Sequence, residues 1–512
     1  MRKRLRRAAL LSPALLVAAS TVVVQPPVRA IEEVLVELPL LENVLTVKLD
    51  ELSSTEALMA GTSDLADLDR ASGGELGRRL LKLLNQPVPM GFRQIAESSV
   101  GSGLLEQALL LVSSFGTIEG QSTDLSGETL KAAMVAATAT SPNGVPSLLQ
   151  FMRAIPGQRV RLNLARTQVI LDRMLGHRRR AERLMAAASV VPVAPAPDDG
   201  PVATSTTTLR VAHRSQPLDL LVIQPQGPGN GRLVMISHGL WDAPRNFEGW
   251  ARVLAAQGYT VVLPRHPGSD KQQQHEVLSG QAPPPTPAEL GLRARDLRAV
   301  VDAVAVGSIP GVTGLNTSGV VVIGHSWGAT TALQLAGVKP QDTSLLARCG
   351  DLDDPERNLS WALQCSWVSG VEQAGIVDTR VVAVAAVSPP VSLLFGRGSG
   401  TDISARILLV SGTDDWVVPP DPEAVAPFAK ATPRGHQLVL VRGGDHFNLR
   451  PLQAANGGVL SSLLLEWTNR AFLAGAKVRP VDGASPLVPV GAWGSSDKPM
   501  ADVTAAVQGK GS

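Results

Sequence analysis

The chain is poor in cysteine, in aromatic rings and in net charge, and each scarcity narrows what it can be. Two cysteines in 512 residues, Cys349 and Cys365, allow one bridge at most. Aromatic residues make up 3% of the chain and only one is a tyrosine, so the eight tryptophans stand out. The formal net charge is +2, and no basic patch supplies the electrostatic footprint of a nucleic-acid binder. The stretch "HEVLSG" from His275 lacks the second histidine of a zinc helix, so no metal site is expected, and no cofactor. What is present is apolar: 44% hydrophobic against 18% charged residues describes a globular chain, too long for one ordinary domain.

The first 30 residues stand apart. Arg2, Lys3, Arg4, Arg6 and Arg7 precede an apolar run from Ala8 to Val24, and "PVRA" at 27–30 supplies a small-residue cleavage site. This is the pattern of an export signal, shorter than a comfortable membrane span and interrupted by Pro13. No cysteine lies near the cleavage point, which argues against a lipoprotein anchor. Removing the six basic residues in this segment leaves 41 basic against 45 acidic residues, a balance of about −4. A periplasmic or secreted location lets Cys349 and Cys365 pair. Such a bridge would stabilise the segment it closes by about 3 kcal/mol in the chain-entropy model. The alternative is two separate buried thiols.

Residues 31–190 read as a mainly helical N-terminal domain. A strand-like opening, "EVLVELPLLENVLTVKLDEL", is followed by segments such as "SGGELGRRLLKLLNQ" from Ser72 and "SGETLKAAMVAATA" from Ser126, with serine at the start and glutamate shortly after. A stretch rich in Pro, Ala and Thr, 191–207, reads as a linker. From residue 208 to 477, β-branched runs alternate with amphipathic helices, which predicts an α/β fold with a mostly parallel sheet of eight strands. Residues 339–378, holding both cysteines, read as an insertion capping the sheet. The stretch 478–512, rich in Pro, Gly and Ser, reads as a flexible tail.

Within the fifth expected strand and the following helix, "GVVVIGHSWGATTALQLAG", Gly324 and Gly328 flank Ser326 at a strand-to-helix junction. A serine pushed out at such a turn has a strained backbone, and glycines two residues either side avoid collision with the neighbouring strand and helix. Alone, G-x-S-x-G is a weak signal in a chain with 48 glycines. Two later strand ends strengthen it. "SGTDDWVVPP" brings Asp415, with Asp414 as the reserve, and "RGGDHFN" brings His446. Nucleophile, acid, then histidine is the order expected of a Ser-His-Asp triad on an α/β-hydrolase sheet. The two oxyanion donors are expected from the amides of Trp327, next after the serine, and Leu240, in "SHGLWDAPRNF".

Residues 208–475 resemble α/β-hydrolases of the predicted dienelactone hydrolase and platelet-activating factor acetylhydrolase-like group. The likeness rests on "ISHGLWDAPRNFEGWARVLAAQGYTVVLPRHPGSD", "RARDLRAVVDAV", "VIGHSWGATTALQLAG" and "SGTDDWVVPP". Residues 31 to about 180 resemble a helical domain of unknown function that precedes such hydrolases in cyanobacteria. The resemblance implies triad roles for Ser326, Asp415 and His446, and oxyanion roles for Leu240 and Trp327. Dienelactone hydrolases proper use cysteine where this chain has Ser326, so esterase or lipase-like activity is what the resemblance implies.

Trp241, Trp327 and Trp416 adjoin the oxyanion loop, the serine and the acid loop, while Trp361 and Trp367 fall in the insertion. Trp241, Trp416, Trp361 and Trp367 are therefore expected to wall an apolar substrate pocket, with ordinary core packing as the alternative. The expected partner is a small-molecule ester or lipid, and residues 31–190 leave room for peripheral membrane contact. Acyl transfer on the same residues and a non-catalytic binding role remain open from sequence alone.

Overall fold

The structure is a computed structural model describing residues 31–38, 44–88, 97–120, 126–141, 144–188, 200–339, 345–354, 356–395, 403–431, 434–451, 456–474, 479–488 and 497–509. Residues 1–30, read above as an export signal, lie outside the described residues.

The N-terminal region is mainly helical, and its strand-like opening builds part of a small sheet. Strands β1 (Glu33–Glu37), β2 (Val44–Lys48), β3 (Gly116–Ile118) and β4 (Arg159–Asn163) pair in the order β2-β1-β4-β3. Helix Gly127–Thr140 starts as expected, with the Ser126 side chain accepting from the Thr129 amide. Ser72 instead ends helix Asp64–Ala71, and the next helix, Glu75–Leu84, follows Gly74 at φ +81°, a left-handed conformation that suits glycine. The helix Leu164–Ala187 leaves β4 and runs into the second unit. Its Ala181, Leu184 and Met185 are buried in that unit's core, so the two regions share packing.

The second unit is a nine-stranded sheet. In chain order its strands are β5 (Val202–Leu209), β6 (Leu218–Pro225), β7 (Arg232–Ser237), β8 (Thr260–Pro264), β9 (Asn316–His325), β10 (Val381–Val387), β11 (Arg406–Gly412), β12 (Gln437–Val441) and β13 (Met500–Asp502). They lie in the order β13-β12-β11-β10-β9-β7-β8-β6-β5. The pairings from β8 through β7, β9, β10 and β11 to β12 are parallel; β5, β6 and β13 add antiparallel pairs at the edges. The sequence dictates this because side chains alternate across a strand. Val320 and Val322 of β9 face one core with Leu233, Met235 and Leu297, whereas Val321 and Ile323 face the other with Val234, Ile236 and Trp250. Helices on both faces bury the β-branched runs completely, and the architecture is the α/β-hydrolase fold with a helical N-terminal region.

Two expected boundaries move. The 191–207 linker is in part strand: Val202–Leu209 pairs antiparallel with β6. Its threonines suit an exposed edge, where β-branched side chains fit the pleat without apolar alternation. The expected flexible tail also supplies structure, since Met500–Asp502 pairs with β12 and helix Thr504–Gln508 follows it. Buried Met500 and Ala501 hold this edge strand, which is too short to show in a Pro- and Gly-rich composition. In the insertion, Cys349 and Cys365 form a disulfide joining helices Leu346–Gly350 and Trp361–Trp367. Helix Gly103–Ser113 of the N-terminal region packs directly on the second of these: a Cβ added at Gly103 would stand 3.2 Å from the Ser366 backbone.

Candidate functional site

Ser326 sits between β9 and helix Trp327–Leu335 with φ +54° and ψ −125°. Only two other described non-glycine residues, Trp241 and Ser388, have positive φ. Such strain persists only where the surroundings enforce it. The two glycines show how: a Cβ at Gly324 would lie 2.2 Å from the Gly328 carbonyl oxygen, and one at Gly328 would lie 2.0 Å from the Ser237 oxygen. The Ser326 hydroxyl does not cap its own helix, and the residue keeps 6% of its surface.

The ends of β11 and β12 deliver the other two candidate groups. His446 Nδ1 lies 3.0 Å from Asp415 Oδ2; a carboxylate can only accept, so Nδ1 donates and Nε2 is left as the acceptor. The Val417 and Val418 amides donate to Asp415 Oδ1 at 3.0 and 2.8 Å, which fixes the carboxylate. Asp414 faces elsewhere, forming a 3.2 Å ion pair with Arg178 of the long N-terminal helix. Beside the elbow, His325 Nε2 donates to the His446 carbonyl at 2.9 Å, and the two rings meet at a tilt with centroids 4.8 Å apart. Burial holds the His325 imidazole well below its ordinary pKa, with the nearby His446 adding to the effect. The His446 loop is further set by Asp445, whose side chain accepts from the Phe447 and Asn448 amides.

The loop after β7 passes close to the serine: a Cβ at Gly239 would approach Ser326 Cβ to 3.1 Å. Leu240 follows immediately, and Trp327, as the first residue of its helix, has no acceptor one turn back. Two bonds fix the left-handed Trp241 (φ +55°): its amide donates to the Ser269 carbonyl at 2.7 Å and its indole to Gln273 at 2.6 Å. Trp416 and Phe447, each adjacent to a candidate triad residue, are 52% and 48% exposed. The expectation that Trp361 and Trp367 wall a pocket is corrected. Both are buried and offer a ligand no surface. Trp361 lies beneath Arg348 and Arg357 with its indole bonded to Ser392, and Trp367 packs at a tilt against Trp327.

Behind the β7 loop lies a second serine–histidine–aspartate set that the sequence did not single out. Ser237, His266 and Asp296 are all inaccessible. His266 Nδ1 donates to Asp296 Oδ2 at 2.9 Å, and Ser237 Oγ stands 3.0 Å from His266 Nε2. His213 and Arg214 also donate to Asp296. Burial alone would raise the Asp296 pKa, but these bonds hold it below the ordinary carboxylate range. Burial lowers His266 to about 3, with Arg293 adding to the effect. His238 Nδ1 donates to the Gly239 carbonyl and its Nε2 accepts from the His266 amide, so this ring is neutral too, its pKa pushed far down by burial. No single motif marks these residues; they come from three separate stretches of the chain.

Among the described residues no helix is long and apolar enough to cross a membrane, and no group of three or more His, Cys, Asp or Glu side chains could hold a metal ion. No curated protein matches the chain. Residues 233–459, from β7 to the segment after the His446 loop, match the family model described as the alpha/beta hydrolase family, in keeping with the fold and with a hydrolase of general kind.

Proposed function

We propose that the protein is an exported serine hydrolase that cleaves carboxylic esters through Ser326, His446 and Asp415. The observation that carries this reading is the pairing of His446 with Asp415 beside a serine on a strained strand-to-helix turn. Ser326 Oγ attacks the ester carbonyl carbon while His446 Nε2 takes its proton, the two coming within hydrogen-bond reach when substrate binds. Asp415 steadies the resulting imidazolium. The carbonyl electrons move to oxygen, where the Leu240 and Trp327 amides meet the developing charge. Collapse expels the alcohol with the proton from His446, and water then releases the acid by the same route. Trp416 and Phe447 give the entrance an exposed apolar rim, which favours lipid-like or short acyl esters over highly polar ones. Export is supported by the N-terminal signal pattern and by the Cys349–Cys365 bridge, a bond that persists in oxidising compartments.

Turnover of p-nitrophenyl esters of graded chain length, with and without an acceptor alcohol, tests the reading. Wild type is expected to hydrolyse them and Ser326→Ala to lose at least about 10⁴-fold in kcat. Turnover unchanged in Ser326→Ala would refute the assigned nucleophile, and ester formation with the alcohol would shift the activity toward acyl transfer.

A further inference from the structure

We propose that Arg293 is a positioning residue for the oxyanion hole, its one guanidinium bracing both segments that carry the donor amides. The inference rests on the serine-hydrolase reading above. Arg293 belongs to helix Glu289–Ala305 and is completely buried. One face of its guanidinium lies 4.8 Å over the Trp327 ring. Its Nη2 donates to the His238 carbonyl and its Nη1 to Ser269 Oγ at 3.1 Å. His238 begins the turn that presents the Leu240 amide, and the Ser269 carbonyl accepts from the amide of strained Trp241 on the other side of Leu240. Arg293 thus holds the Leu240 segment from before and after, and presses on the side chain of the residue that supplies the second donor.

The charge of Arg293 is not spent on an ion pair. Arg214 takes the nearby carboxylates, binding Glu289 at 2.6 Å and Asp296 at 2.7 Å, while the Arg293 bonds go to neutral groups and its Nε has no partner among the described residues. Burying a guanidinium without a carboxylate partner costs stability, and an apolar side chain of similar volume would fill the space at less cost. A local rule broken beside a reaction centre marks function. Lysine is no substitute, because an ammonium on a flexible stem cannot fork to two acceptors while lying flat on an indole.

The test compares wild type, Arg293→Met, Arg293→Lys and Ser269→Ala, with active sites counted by exhaustive fluorophosphonate labelling so that kcat refers to folded sites. Both Arg293 variants are expected to lose about 10²-fold or more in kcat with KM within about threefold. Their affinity for a trifluoromethyl ketone, which mimics the tetrahedral adduct, should fall by the same factor, while that for the product acid stays put. Ser269→Ala removes one bond while the Arg293 bond to the His238 carbonyl stays, and should show the same pattern at about fivefold. Wild-type kcat per labelled site in a folded Arg293 variant, or parity of Ser269→Ala should the Arg293 variants not fold, would overturn the proposal and leave Arg293 a packing residue. Retained turnover in Ser326→Ala is a different failure: it removes the serine-hydrolase reading itself.

Discussion

Two serine–histidine–aspartate sets stand within one molecule, built from the same three side chains and separated by their surroundings. In the set behind the β7 loop, Ser237, His266 and Asp296 are in contact, yet no member reaches the surface. Asp296 is shared among His266, His213 and Arg214, so its charge is committed to structure. In the other, Asp415 bonds only His446 among the described side chains and is otherwise held by backbone amides, leaving its charge directed at one imidazole. Ser237 ends a strand in regular geometry, whereas Ser326 is lifted out of its strand at φ +54°. The comparison teaches that the three residue types and their spacing do not make a reactive site. Access and backbone strain at the serine separate the two.

The largest effect that would sharpen this contrast lies in the two aspartates. Asp415→Asn is expected to lower kcat about 10⁴-fold, because it favours the wrong imidazole tautomer, with little change in melting temperature. Asp296→Asn should place its main cost on stability, about 3–5 kcal/mol, by leaving buried Arg214 underpaired. Steady-state kinetics and thermal melts on both variants would break the comparison if the two profiles were exchanged.

A smaller effect follows from pH. Between the ordinary histidine pKa of 6.5 and about 3, unfolded His266 binds a proton that the native residue refuses. The unfolded chain holds more protons there, so stability falls as pH drops, by up to about 1.4 kcal/mol per pH unit for such a group. His238 and His325, both pushed down by burial, act in the same direction, and depressed Asp296 adds to the loss at the acid end. Melting temperatures measured from pH 7 to 4 should decline steadily, and His266→Gln should flatten part of the slope. A melting temperature independent of pH over that range would contradict the neutral, buried state of these rings.

The set around Ser326 was legible in the sequence because each of its parts leaves a local mark. Gly324 and Gly328 announce a crowded turn, the continuous β-branched run Val320–Ile323 announces a buried strand, and Asp415 and His446 each follow a strand end. The sequence favoured Asp415 over Asp414, and the structure adds that Asp415 pairs with His446 while Asp414 turns toward Arg178. The buried set left no such mark. Ser237, His266 and Asp296 meet only because β7, the loop after β8 and helix Glu289–Ala305 converge. Arg293 lay within a stretch that carried the family resemblance, but a role for it appears only once its guanidinium is seen against Trp327 and the His238 carbonyl. Strand β13 and the part of β5 before residue 208 escaped because edge pairing tolerates threonine-rich or very short segments. Trp361 and Trp367 were misassigned for the converse reason: a tryptophan near a site in sequence fills a core as readily as it lines a pocket.

The claim that surroundings, and not residue types, make only one of the two serines reactive is tested most directly by labelling with a fluorophosphonate and locating the adduct by peptide mass spectrometry. A single adduct is expected on Ser326, lost in Ser326→Ala and retained in Ser237→Ala. An adduct on Ser237, or labelling that survives Ser326→Ala, would contradict it.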